Sequence, residues 1–205
     1  MVKSMRLLII RHGESQADLL NVHEGRADFE LTDKGHKQAQ AMSKWVSEHY
    51  QLSKIYCSPL KRAHQTAQYL SNATHTNLYI EELLQEFNNG LIAGLSREEA
   101  AEKYPYQPNL ALHESVYEQE SELQFRYRAE YVLSKIVSEN SDGTIAIVSH
   151  GGMIYQLYRA FLGLPLNTNV FISTGDTGIH EWLIIDDKKI IKTTNRTDHL
   201  ITTNL

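Results

Sequence analysis

One cysteine, Cys57, stands in 205 residues, so no internal disulfide can form. Such a chain fits a reducing cytoplasm. Cys57 precedes Ser58-Pro59 at an expected strand end, where it reads as a small packing residue rather than a reactive thiol. No apolar run reaches the ~18 residues of a membrane span, and the run within residues 1–10 is too short for a signal peptide. A cytoplasmic location is therefore expected by default. Basic charge is scarce as well: 20 Lys+Arg against 25 Asp+Glu leave a net charge of -5. That balance argues against nonspecific nucleic-acid binding, which needs a basic face, and means that any phosphate site must be positive only locally. The 10 histidines include no His-x-His or His-Glu-x-x-His arrangement, so the usual metallohydrolase pattern is missing. There is no internal repeat, low-complexity tract or dividing linker. Residues 1–205 are expected to form one domain, long enough to bury roughly 70% of the unfolded-chain surface.

What is present begins with Leu7-Leu8-Ile9-Ile10-Arg11-His12-Gly13-Glu14-Ser15. Four consecutive apolar residues suit an interior strand buried on both faces of an α/β sheet. Arg11, His12 and Gly13 arrive where that strand should stop, and ligands of open α/β sheets sit outside the carboxyl ends of strands. Arg-His-Gly alone is three common residues. A second buried-strand pattern, Thr144 to Ser149, also ends in a histidine and glycines, His150-Gly151-Gly152. Packing does not explain that repetition.

Between these strands the pattern alternates. Ser15 to Glu30 is polar and irregular, of a length that suggests a working loop. Thr32 caps an expected helix running to about Tyr50, Lys54 to Cys57 reads as a strand, and Ser58-Pro59 opens a helix with proline in its first turn. Leu78 to Ile80 is a third short strand. Capping boxes at Ser96 to Glu99 and Ser121 to Gln124 start two more helices, separated by a polar, tyrosine-spotted loop from Pro105 to Glu120. Met153 to Leu162 reads as a helix stopped by Gly163. Ile179 to Ile185 and Ile190 to Thr194, with Asp186-Asp187 between them, read as a hairpin. Pattern does not decide the tail, Asn195 to Leu205. Strands alternating with helices predict a three-layer α/β/α fold, a largely parallel central sheet with an antiparallel edge.

In a parallel sheet one edge would gather Arg11 and His12, Arg62 one turn past Ser58, Glu86, and His150. Two arginines, two histidines and one carboxylate describe a pocket for a phosphoryl group. Each arginine contact to a charged oxygen is worth ~1.5–3 kcal/mol, enough together to hold a dianion on an acidic protein. Gly151 and Gly152 would add backbone N–H groups at a helix start.

These residues carry a resemblance. Arg11-His12-Gly13-Glu14, Ser58 to Ala63 with Thr66-Ala67, Leu83 to Glu86 with Gly90 and Gly94, and Val148 to Gly152 resemble, in order and spacing over residues 5–185, the phosphoglycerate-mutase-like branch of the histidine phosphatase superfamily. The resemblance implies a covalent route: His12 attacks phosphorus and becomes phosphohistidine, Arg11, Arg62 and His150 neutralise the equatorial oxygens, and Glu86 protonates the leaving alcohol and later activates water. It calls for no metal and no cofactor, takes a small phosphorylated metabolite, and leads us to expect a bell-shaped pH profile leaning acidic. Ser15, Gly151 and the stretch His23-Glu24-Gly25-Arg26 are further candidate contacts to phosphate or substrate.

The chain departs from the family at Asp18, where many members have asparagine. A carboxylate beside phosphate is costly, so Asp18 must be turned away, protonated, or aimed at a substrate hydroxyl or amine. Phosphoglycerate mutases of the family share paired arginines beyond the acid. Here Phe87-Asn88-Asn89 follow Glu86, and Arg97 is the only arginine between Arg62 and Arg126. Hydrolysis is therefore expected, with mutase activity or an idle phosphate-binding pocket as the alternatives. Tyr104, Tyr106 and Tyr117 are expected to help cover the pocket and to favour a small phosphomonoester with an apolar or hydroxylated body. Oligomeric state is not legible.

Overall fold

The computed structural model describes residues 4–186 and 188–201. Its centre is a six-stranded sheet in the order β3-β2-β4-β1-β5-β6, built from β1 (Ser4–Arg11), β2 (Lys54–Cys57), β3 (Leu78–Ile80), β4 (Gly143–Ser149), β5 (Ile179–Ile185) and β6 (Lys188–Arg196). The first four run parallel, while β5 and β6 are antiparallel, as expected. The apolar run of β1 splits by alternation. Leu7 and Ile9 face one core with Trp182 and the helices α5 (Glu122–Ser138) and α6 (Gly151–Leu162), and Leu8 and Ile10 face another with α2 (Asp33–His49) and α3 (Lys61–Thr74). Each such side chain contributes about 1.5–3 kcal/mol on leaving water, which is why Leu7 to Ile10 is wholly apolar, while the less buried Arg6 pairs with Glu181 on β5. Three layers result. Cys57 packs in the α2–α3 core, and burial pushes its thiol up to about 12, in keeping with a packing role.

Several boundaries differ from expectation for tertiary reasons. Pro59 lies outside α3, whose first N–H, on Lys61, donates to the Asp28 carboxylate at 2.7 Å. The loop after β1 contains a short helix, α1 (Gln16–Leu20), and α6 begins at Gly151, two residues before the expected start. Strand β6 is longer than expected because it pairs with the whole of β5, from Ile185↔Lys188 to Ile179↔Arg196. Asp187 of the expected turn lies outside the described residues. So do residues 202–205 of the tail, of which the earlier part forms β6 and the helix α7 (Asp198–Ile201). Helix α4 (Arg97–Lys103) starts at its expected cap, with the Glu99 N–H donating to Ser96 Oγ. Among the described residues no helix is long and apolar enough to cross a membrane.

The consequence for chemistry is positional. β1 and β4 are neighbours in register Arg11↔Ser149, so His12 and His150 emerge side by side, and Ser58 emerges next to them from β2.

Candidate active site

His12 is fixed at both ends of its backbone: its N–H donates to Ser149 O at 3.0 Å and its carbonyl accepts the Thr177 N–H at 3.1 Å. Its ring Nδ1 lies 2.7 Å from Gly13 O. A carbonyl only accepts, so Nδ1 carries the hydrogen and Nε2 presents a lone pair. That lone pair accepts from Arg62 Nε at 3.2 Å. Burial, with Arg62 and Arg11 adding to it, holds the His12 pKa well below the ordinary imidazole value, so the ring is neutral. A neutral imidazole with its lone pair directed at a guanidinium is a nucleophile held in its reactive tautomer.

His150 stands beside it, with ring centroids 5.1 Å apart. Its Nε2 is 2.8 Å from Ser58 Oγ, and that oxygen already accepts the Leu60 N–H. With the Ser58 hydroxyl hydrogen given to Nε2, the ring hydrogen sits on Nδ1, a buried atom with no protein partner. His150 is also held well below its ordinary pKa by burial, then by Arg62 and His12. Arg11 donates through Nη1 to Thr174 O at 2.8 Å and lies 3.5 Å from Asp176, while its Nε is a second buried atom without a protein partner. Gly151 stands against it: a Cβ there would sit 3.9 Å from Arg11 Nε. Arg62 is fully buried, donating through Nη1 to Ala27 O and through Nη2 to Gly25 O.

Glu86 accepts two backbone N–H groups, from Phe87 at 2.7 Å and from Gly152 at 2.8 Å. The Gly152 N–H expected to face a ligand is therefore taken by Glu86, and the N-terminal turn of α6 holds the carboxylate two residues from His150. Behind it the Glu86 carbonyl accepts from Arg128 Nη2 at 3.0 Å and from Arg26 Nε at 3.3 Å. Arg26 is engaged with the Glu86 main chain and lies 3.6 Å from Glu120, so its side chain supports the acid rather than reaching His12. Asp18 is turned back: the Ser15 N–H donates to Asp18 Oδ2 at 2.9 Å, the first of the three options left open for it. Ser15 Oγ donates to Glu24.

Five contributors were not singled out individually from sequence. Arg128 donates to the carbonyls of Leu83, Gln85 and Glu86 and pairs with Glu120, both far along the chain in an apolar-patterned helix or loop that gave no signal. Thr174 and Asp176 hold Arg11 from the stretch before β5. Glu24 was marked only as one of a stretch. Tyr104, Tyr106 and Tyr117 gather with His23 and Arg97 around a cavity of about 280 Å³ that none of Arg11, His12, Arg62, Glu86 and His150 lines. Among the described residues no group of three or more His, Cys, Asp or Glu is placed to hold a metal ion.

The family model for the histidine phosphatase superfamily (branch 1) matches residues 7–197. The chain belongs to the histidine phosphatase superfamily. Phosphoserine phosphatase 1 of Hydrogenobacter thermophilus is 28% identical over 202 residues, 96% of this chain and 94% of that protein. A 2,3-bisphosphoglycerate-dependent phosphoglycerate mutase of Cytophaga hutchinsonii is 33% identical over 159 residues, 74% of each. A phosphoserine phosphatase from Entamoeba histolytica, solved with 3-phosphoglyceric acid, matches with a TM-score of 0.77 at 25% identity, over 96% of this chain and 99% of that one. The four blocks that carried the resemblance are those that histidine phosphatase folding brings to one sheet edge here.

Proposed function

We propose that the chain is a metal-independent phosphomonoester hydrolase that works through a phosphohistidine on His12. The observation that carries this reading is the tautomer of His12, with Nδ1–H tied to Gly13 O and a neutral Nε2 facing the cations. Nε2 attacks phosphorus as the bond to the leaving oxygen breaks, and Glu86 gives that oxygen a proton. Glu86 then takes a proton from water, the water oxygen displaces Nε2 from phosphorus, and free phosphate departs with His12 restored. The orphan donors Arg11 Nε and His150 Nδ1 supply preorganised hydrogen bonds to the phosphoryl oxygens. Left unmade, each buried group costs about 1–3 kcal/mol, a cost that a bound phosphoryl group removes.

Hydrolysis is favoured over phosphoryl return because Arg97, the one arginine between Arg62 and Arg126, is bound to Asn21 at the surface. No adjacent Arg-Arg pair, of the kind that would take a substrate carboxylate, follows Glu86 in the sequence. The substrate class is a small phosphorylated metabolite, which fits relatives named for phosphoserine and a solved relative that holds 3-phosphoglyceric acid.

Rapid acid-free quenching with a radiolabelled phosphomonoester tests the reading. The expected result is one acid-labile phosphoryl group on the wild type, none on His12→Ala, and turnover unaffected by chelator. A fully active His12→Ala variant, or loss of activity on chelation, overturns it. Anion binding without phosphoenzyme or turnover would leave an idle binding pocket.

A further inference from the structure

The pocket contains a negative charge that this chemistry does not use. Glu24, in the loop between α1 and α2, turns its carboxylate inward: Oε1 lies 3.2 Å from Arg62 Nε and accepts the Ser15 hydroxyl, and Oε2 lies 3.8 Å from His12 Nε2. Phosphorus must approach an attacking atom to about 3–3.5 Å. A carboxylate oxygen at 3.8 Å from Nε2 is therefore within reach of a phosphoryl oxygen of the group His12 attacks. Arg62 cannot screen it with its other nitrogens, since Nη1 and Nη2 are spent on Ala27 O and Gly25 O.

The groups around Glu24 give an unfavourable sum for a dianion. Arg62 on α3 and Arg11 on β1 are positive. Glu24 itself, Asp18 on α1 and Asp176 beside Arg11 are carboxylates, and His12 and His150 are neutral. Two cations facing that many carboxylates do not by themselves hold two further negative charges.

We propose that Glu24 makes the site proton-coupled, holding a phosphomonoester with one proton shared between its carboxylate and a nonbridging phosphoryl oxygen. The inference rests on the reading that the His12 pocket takes a phosphoryl group, and names the ionic form it takes. A singly protonated ester meeting Glu24 carboxylate, or a doubly charged ester meeting Glu24 carboxylic acid, gives the same atoms and the same charge. The hydrogen lies between the two oxygens and no covalent bond to phosphorus changes before His12 attacks. Burial pushes the Glu24 pKa above the usual carboxylate range, against the pull of Arg62, which prepares it to accept that proton. Glu24 is thus a specificity-determining residue for protonation state, where a neutral amide would accept the dianion.

Sulfate is the probe, because it stays a dianion across the range and any proton taken up must come onto the protein. Titration calorimetry in two buffers of different ionisation heat should count about one proton taken up per sulfate. Affinity should rise by up to about tenfold per pH unit as pH falls from about 8 toward 6. Glu24→Gln should bind sulfate about an order of magnitude more tightly at the alkaline end and lose both the slope and the proton. Glu24→Ala should do the same, separating charge from shape. A proton count near zero in the wild type, which needs no variant, overturns the inference. So does a slope that survives in Glu24→Gln. If the phosphoenzyme forms while these tests fail, only the role of Glu24 falls; if sulfate binds at no pH and no phosphoenzyme forms, the phosphoryl pocket itself falls.

Discussion

In the proposed reaction His12 and Glu86 divide the chemistry, and their surroundings fit that division. His12 has one ring nitrogen anchored on Gly13 O and the other directed at Arg62, so its geometry is that of a nucleophile; Glu86 has both carboxylate oxygens on backbone N–H groups, so its geometry is that of a positioned proton carrier. Glu86→Gln keeps the size of the side chain and removes the proton shuttle. We expect turnover of an alkyl phosphate to fall about 10²–10⁴-fold, while a nitrophenyl phosphate, whose leaving group departs without a proton, still forms the phosphoenzyme and stalls there. Equal losses in single-turnover formation of the phosphoenzyme from both substrates would remove Glu86 from the acid role. Arg11, His12 and His150 were legible as candidates because each stands at the end of a strand, whereas Arg62 and Glu86 stood out only through the family resemblance, their positions alone fitting ordinary surface residues. Asp18 and Glu24 were not separable in sequence. Both are acids in the same loop, and only the fold turns one onto Ser15 N–H and the other onto Arg62.

The start of α6 joins the two halves of the site. Its first residues place Gly151 against Arg11 and spend the Gly152 N–H on Glu86, so the helix dipole and a backbone donor both act on the acid. Gly152 is required by approach rather than by backbone angle, since an added Cβ would collide with Glu86 Oε1. Gly152→Ala should therefore leave the helix intact, alanine being the better helix former by up to about 1 kcal/mol. We expect an unchanged or slightly raised Tm together with a loss of turnover of about 10²-fold from the displaced carboxylate. Thermal melts and kcat on the same preparation check this, and full activity would show that Glu86 needs no such fixed seat. Helices with local caps, at Thr32, Ser96 and Ser121, were placed correctly from sequence because the signal lies within one turn. The start of α3 was not, because its capping carboxylate, Asp28, lies far upstream and only the fold brings it there.

Placing the site at the centre of the sheet, on β1 and β4, seals its histidines from water, and others are sealed behind it on β5 and α7. His12 and His150 are held well below their ordinary pKa, and burial takes His180 and His199 down to about 4. His180 is part of the support of Arg11: its Nε2 meets Thr174 Oγ1 at 2.9 Å, and Thr174 O accepts from Arg11. An unfolded histidine takes a proton near pH ~6.5, so below that value the unfolded chain binds more protons than the native one and stability falls with falling pH. The contribution of each ring is complete above about pH 6.5 and is lost toward its folded pKa, which for His180 and His199 amounts to about 3 kcal/mol apiece by pH ~4. Glu24 and Asp176, whose pKa values burial raises, work in the opposite direction at the acid end but are fewer. Urea unfolding should give a stability nearly flat above about pH 7 and falling by several kcal/mol between about pH 6.5 and 4.5; a flat curve through that interval would contradict the burial of these rings. Proton-coupled binding at Glu24 draws activity toward acid, while the buried histidines withdraw the folded enzyme from it. The pH optimum should therefore mark where these two demands cross, and Glu24→Gln should move it to higher pH while the histidine-driven fall in stability between about pH 6.5 and 4.5 remains.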